Sequence, residues 1–288
     1  MRRNRDNFER SSFVAIAIAA CALTTVLVSG CASHNTEADD SVSLAEDGTD
    51  ANDVESQSSA LTASFTLACS DFSNPSASVK AASGVGSFFT PSSCITAEQD
   101  PPNNTVTYTL GANGIPCGGP WGLGGVTGTV KVVYATKDNA ITLAVSATGL
   151  QFNSRRPNHA TADLQGTASL SSQLAGGREM IWNASLTGTT ARGNAFSRTS
   201  SWDTTWRVGE SCISLDGSAE GKVNGRALKT SVTGYQRCLG SCPASGGEIK
   251  IQREDDGEEV TLEYDGGNDA TFTGVNGKQT NIPLACGL

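Results

Sequence analysis

Residues 140–150 read AITLAVSATGL and residues 159–170 read HATADLQGTASL, and both runs alternate with a period of two. In the first, Ile141, Leu143, Val145 and Ala147 alternate with Thr142, Ala144, Ser146 and Thr148. In the second, Ala160, Ala162, Leu164, Gly166, Ala168 and Leu170 alternate with Thr161, Asp163, Gln165, Thr167 and Ser169. A strand sends successive side chains to opposite faces, so this pattern buries one face and wets the other. A helix with a period of 3.6 would carry the same Thr and Ser residues into the core.

The pattern continues outward from these two runs. Phe196, Trp202, Trp206 and Val208 share one parity, with Ser197, Thr199, Ser201, Asp203, Thr205 and Arg207 on the other. Asn224-Gly225, Asp256-Gly257, Asp265-Gly266 and Asn276-Gly277 supply the positive φ angles that tight hairpin turns require. Residues 247–253, 259–264, 270–275 and 278–285 read as a closing four-strand meander. The sequence therefore predicts an all-β fold, a large antiparallel meander of roughly thirteen strands closing as a sandwich or barrel. No substantial helix is expected beyond the signal peptide, with one short helical turn allowed between Asn74 and Ser83.

The expected organisation has three parts. Residues 1–30 hold Arg2, Arg3, Arg5 and Arg10, then a charge-free run from Phe13 to Val28, as in a secretory signal peptide. Residues 31–61 form an acidic segment, and residues 62–288 form one secreted β domain. The acidic segment carries Glu37, Asp39, Asp40, Glu46, Asp47, Asp50, Asp53 and Glu55 with no Lys or Arg, which predicts a disordered, self-repelling tether. Much of the net charge of −9 belongs to this segment. The remaining acidity clusters between Glu248 and Asp269, and no basic stripe favours nucleic acid.

Val28-Ser29-Gly30-Cys31 resembles the lipobox of bacterial lipoproteins. That resemblance implies cleavage before Cys31, a diacylglyceryl thioether on its sulfur and acylation, such as by palmitate, of the new amino terminus. Ala32, in place of an aspartate, implies the outer membrane in bacteria with two membranes. The membrane is then a partner through the lipid anchor, because two or three acyl chains hold stably where one does not. The C-terminal arrangement of Cys212, Tyr235-Gln236-Arg237-Cys238, Cys242-Pro243 and Leu284-Ala285-Cys286 resembles uncharacterised secreted β proteins of proteobacteria, which carry no assigned activity. A transmembrane barrel does not fit, since aromatic residues are 6% of the chain and the outward positions are Thr, Ser, Asp and Gln.

An exported domain uses its cysteines mainly as disulfides. With Cys21 in the signal and Cys31 lipidated, seven remain, so at least one stays unpaired or pairs between chains. Connectivity does not follow from sequence; the expected bridge is Cys238 with Cys242, and Cys69–Cys94 and Cys212–Cys286 are candidates. A redox or metal reading of CLGSC (238–242) is disfavoured by its three intervening residues and its place in a β loop.

Catalytic signals are sparse. His34 lies in the tether and His159 is the sole histidine of the β domain, with no nucleophile-elbow context. Gly111–Gly128 lacks the Gly-Lys-Ser/Thr ending of a P-loop. Residues 254–259 read as a hairpin tip, in which Asp255, Asp256 and Glu258 are weak calcium candidates. Trp121, after Gly118-Gly119-Pro120, is expected on an exposed loop and is the aromatic most suited to touch a ligand. No cofactor and no enzymatic activity are expected. The function expected is that of a membrane-anchored envelope lipoprotein with a structural or binding β domain, whose ligand could be an envelope glycan, a protein or a small apolar molecule. The alternatives are a carrier barrel for a small apolar ligand and a carboxylate-dependent envelope hydrolase.

Overall fold

The computed structural model describes residues 36–69, 74–137, 140–153, 159–172, 176–239 and 241–283, with side chains from residue 40 to residue 282. Cys31 and Cys286 lie outside the described residues. Two helices precede the strands: α1 (Thr36–Ser64) and α2 (Pro75–Ala81), the latter inside the stretch expected to form one helical turn. The strands are β1 (Ile95–Asp100), β2 (Thr105–Leu110), β3 (Val126–Lys137), β4 (Ala140–Asn153), β5 (His159–Ser172), β6 (Gly177–Thr189), β7 (Ala195–Arg207), β8 (Cys212–Val223), β9 (Arg226–Cys238), β10 (Glu248–Arg253), β11 (Glu259–Tyr264), β12 (Asp269–Thr273) and β13 (Gln279–Pro283).

All thirteen lie in one sheet in chain order, each pairing antiparallel with the next. β1 and β13 do not pair with one another, so the all-β meander is an open sheet and not a closed barrel. The parity assigned from sequence is the parity observed except at Val208, which lies just past the end of β7 and is exposed. Ile141, Leu143, Val145 and Ala147 point inward, as do Ala160, Ala162, Leu164, Ala168 and Leu170. Trp182, Trp202 and Trp206 join them, all nearly inaccessible. Three register shifts, between Thr127 and Thr129, between Ala147 and Leu150 and between Leu215 and Gly217, mark bulges that help such a long sheet curl.

The segment expected to be a disordered tether is instead α1, a 29-residue helix. It packs against β4 to β11, so the sheet curls around it. At about 1.5 Å per residue it is roughly 43 Å long, comparable to the 12- to 14-residue strands β3 to β9. From Asn52 to Ser64 every position but Asp53 is buried, on all sides of the helix. Its composition hid this, because Ser, Thr, Asp and Asn ordinarily weaken helices by offering competing hydrogen bonds.

Here several hydroxyls are satisfied within the helix itself. The hydroxyls of Thr49, Ser58, Thr62 and Ser64 donate to the carbonyls of Ala45, Val54, Ser58 and Leu61 at 2.6–2.9 Å. The run Ser56-Gln57-Ser58-Ser59-Ala60-Leu61-Thr62-Ala63-Ser64 is otherwise small. A thin helix therefore fits inside a shell whose inward residues are bulky. At Gly48 the fit leaves no room for a side chain: an added Cβ would lie 2.6 Å from Ile251 Cγ2 on β10. In the turns just past its C-terminus, Arg178 donates to Thr66 O at 2.7 Å and Cys69 O at 2.9 Å.

The disulfides differ from the expected pairs. Cys94 bonds Cys117, tying the start of β1 to the Gly-rich loop, and Cys212 bonds Cys238, its direct cross-strand neighbour. Cys238–Cys242, Cys69–Cys94 and Cys212–Cys286 are therefore not the bridges formed. Strand register decides this: Cys212 and Cys238 face each other with Cα atoms 4.1 Å apart, a fact hidden until β8 and β9 are aligned. Cys69 is a buried free thiol, and Cys242 is also disulfide-bonded.

Candidate functional site

The acidity of α1 is answered residue by residue from the shell. Arg192, on the β6–β7 turn, pairs with Glu46 and with Asp50 at 2.8 Å. Arg226 at the start of β9 reaches Asp40 and Asp47, both at 3.4 Å. Arg237 near the end of β9 holds Asp53 at 3.0 Å, and Arg253 at the end of β10 holds Asp40 at 2.9 Å. Asp47 also accepts from Asn194 at 2.9 Å and Asn224 at 3.4 Å, yet burial still pushes its carboxyl above the ordinary range.

Deepest of these pairs is Glu55 with Arg198 of β7, at 3.3 Å, and both side chains are 0% exposed. Arg198 donates to Ala219 O at 2.9 Å and Thr230 Oγ1 at 2.8 Å, but neither Glu55 oxygen accepts a well-aligned hydrogen bond among the described residues. Burial outweighs the nearby guanidinium and raises the Glu55 carboxyl to about 7. Interior tyrosines shift the same way. Tyr108 and Tyr134 share a 3.0 Å hydrogen bond beneath Phe65, and burial drives both phenols well up.

The one crevice that reaches α1 from outside, among those described, has a volume of about 540 Å³. Asp50, Asp53 and Gln57 line it from the helix, Asn153 from the end of β4, and Tyr235 and Arg237 from β9. Gly122 and Gly124 form its lip. Their lack of side chains is required: a Cβ at Gly122 would lie 2.6 Å from Cys238 O, and one at Gly124 would lie 2.7 Å from Asn153 O. The Gly-rich loop thus presses onto β4 and β9. Inside the crevice Arg237 donates to Asp53, to Ser56 Oγ at 3.1 Å and to Gly122 O at 3.0 Å. Gln57 Nε2 donates to Asp53 at 2.8 Å, while Gln57 Oε1 is buried without a partner.

The sequence candidates are scattered around this crevice and do not form it. Trp121 is not exposed; it is 2% accessible and meets Trp206 edge-on, with ring centroids 5.7 Å apart. Positive φ at Trp121 (55°) and Gly122 (69°) turns the loop back and drives the indole into the core. Asp255, Asp256 and Glu258 sit on the β10–β11 turn as expected, but Arg253 lies among them and pairs with all three. That guanidinium supplies the positive charge a calcium ion would bring and pulls Asp256 below its usual range. No group of three or more His, Cys, Asp or Glu among the described residues could hold a metal. His159 opens β5 and is exposed.

The crevice residues were missed because their common neighbour, α1, was read as tether. The available signal was charge complementarity: an all-acidic segment followed by Arg192, Arg198, Arg226, Arg237 and Arg253 in a chain whose arginines otherwise lack acidic neighbours in sequence at most of these positions. A second concavity of about 730 Å³ lies on the outer face of β3 to β7, floored by exposed Ser146, Gln165, Thr167, Asn183, Ser185 and Thr199. No helix among the described residues is long and apolar enough to cross a membrane. No protein-family model matches the chain, and no curated protein or solved structure matches it either.

Proposed function

We propose that the chain is a lipid-anchored protein of the bacterial cell envelope whose helix-filled β shell is a non-enzymatic binding module. One observation carries this reading: the space inside the sheet is taken up by the chain's own α1, so binding is left to the crevice and the outer faces. A carrier of small apolar molecules needs an unfilled apolar interior, and α1 occupies that position. A hydrolase needs two acids free to act on a substrate, whereas Asp50 and Asp53 are each engaged by an arginine.

The disulfides Cys94–Cys117 and Cys212–Cys238 support an oxidising compartment. The lipobox-like VSGC supports acylation of Cys31, with Ala32 favouring the outer membrane. Because α1 begins at Thr36, four residues separate it from Cys31 in sequence, in place of the thirty-residue tether expected. The anchor reading is tested by expressing the full chain with an alkyne-bearing palmitate analogue and fractionating the envelope. Labelled protein in the outer-membrane fraction, with an unlabelled and soluble Cys31→Ser variant, is the expected result. An unlabelled wild-type chain would overturn it.

A further inference from the structure

We propose that the crevice between α1, β9 and the Gly-rich loop binds a neutral saccharide, an inference that rests on reading the shell as a binding module. Its volume of about 540 Å³ falls inside the roughly 300–1,000 Å³ usual for small-ligand sites. Its charges select against ions. Asp53 and Arg237 pair at 3.0 Å, with Asp53 about half exposed and Arg237 13% exposed, so both can reach a ligand while cancelling each other. An anionic ligand would meet Asp53 and Asp50, and a cationic one would meet Arg237.

What the crevice lacks is hydrogen-bond partners of both kinds. Gln57 Oε1 is an acceptor with no donor, on a side chain 2% exposed, and Arg237 Nε is a donor with no acceptor. Gly124 packs close to the Gln57 oxygen, since a methyl group there would come within 3.3 Å of it. A buried polar atom left unpaired is costly, so a ligand that supplies the missing partner recovers that cost. Hydroxyl groups both donate and accept, and a sugar ring presents several at fixed spacing. Asn153 adds a side-chain amide at the rim, and Tyr235, held edge-on to Tyr264 at 5.4 Å, supplies an apolar wall suited to the C–H face of a pyranose.

Saturation-transfer NMR and calorimetry on the full acylated chain in detergent test this. The panel is N-acetylglucosamine, its β-1,4-linked dimer and glucose as neutral sugars, glucuronate and glucosamine as charged ones, and acetyl-Gly-Gly-amide as a neutral peptide. The neutral sugars are expected to bind at millimolar concentration or below, with the charged sugars and the peptide at least about tenfold weaker. Asp53→Ala removes a polar contact, and Ser241→Trp fills the mouth from an exposed position without touching the core. Each should weaken the sugar at least about tenfold while leaving the unfolding midpoint of Ser241→Trp at the wild-type value. Absence of sugar binding, tighter binding of the peptide, or binding unchanged in both variants would overturn the proposal. Sugar binding fails or holds independently of the palmitate label, so loss of this inference and loss of the anchored reading are told apart.

Discussion

The outer strands and the inner helix of this molecule obey opposite relations between sequence and burial. In β4 and β5 the buried positions are apolar and the outward ones mostly polar, so local composition reports the environment. In α1, Glu55, Ser58, Ser59 and Thr62 are as inaccessible as Leu61 and Ala60. The difference is where each segment finds its polar partners. A strand has water on one face, whereas α1 is surrounded and must be satisfied by its own carbonyls and by the arginines of the shell. A segment rich in acid is therefore a poor reporter of disorder when the rest of the chain carries matching cations.

The largest effect expected from this contrast is at the buried pair. Glu55→Leu strands Arg198, which cannot shed its charge, and should cost about 3–5 kcal/mol in urea unfolding. Arg198→Met should cost less, because the Glu55 carboxyl can take up a proton in compensation. The double variant should recover much of the Glu55→Leu loss. Equal, near-zero effects for both single variants would mean that α1 is not held inside the sheet.

Next in size is pH. Burial raises Glu55 from 4.5 to about 7, so the folded chain binds that proton more tightly than the unfolded chain. Its contribution therefore favours folding most below about pH 4.5 and is lost as pH rises through about 7, a swing on the order of 3 kcal/mol. Asp47, also raised by burial, acts in the same direction. The measurement is the urea midpoint between pH 5 and pH 8 for wild type and Glu55→Gln. The wild-type chain should show a fall with rising pH that the variant largely lacks, whereas superimposable profiles would remove Glu55 from a buried site.

A smaller effect sharpens the packing side of the comparison. Gly48 in a helix would ordinarily gain stability on replacement, but here a side chain meets Ile251. Gly48→Val should destabilise by about 1–3 kcal/mol through overpacking. An increase in the thermal midpoint would show that α1 and β10 do not approach so closely.

The strands were legible because period-two alternation is a local property. Ile141 to Ala147 and Ala160 to Leu170 each declare their face within a few residues, and Asn224-Gly225 declares its turn. Whatever depended on distant partners was not legible. Cys212 meets Cys238 through the register of β8 and β9, Trp121 is buried by positive φ in its own loop, and Asp255, Asp256 and Glu258 are claimed by Arg253. The crevice was the least legible feature, since Asp53 and Gln57 come from a segment read as tether, and Asn153, Tyr235 and Arg237 come from strands far along the chain.

Backbone hydrogen exchange across residues 52–64, followed by mass spectrometry, tests the central claim most directly. A helix enclosed by the sheet should exchange as slowly as β5, β6 and β7, through opening of the whole domain. Exchange of these amides at the rate of an unstructured chain, with the strands still protected, would contradict it and return the segment to the tether its composition suggests.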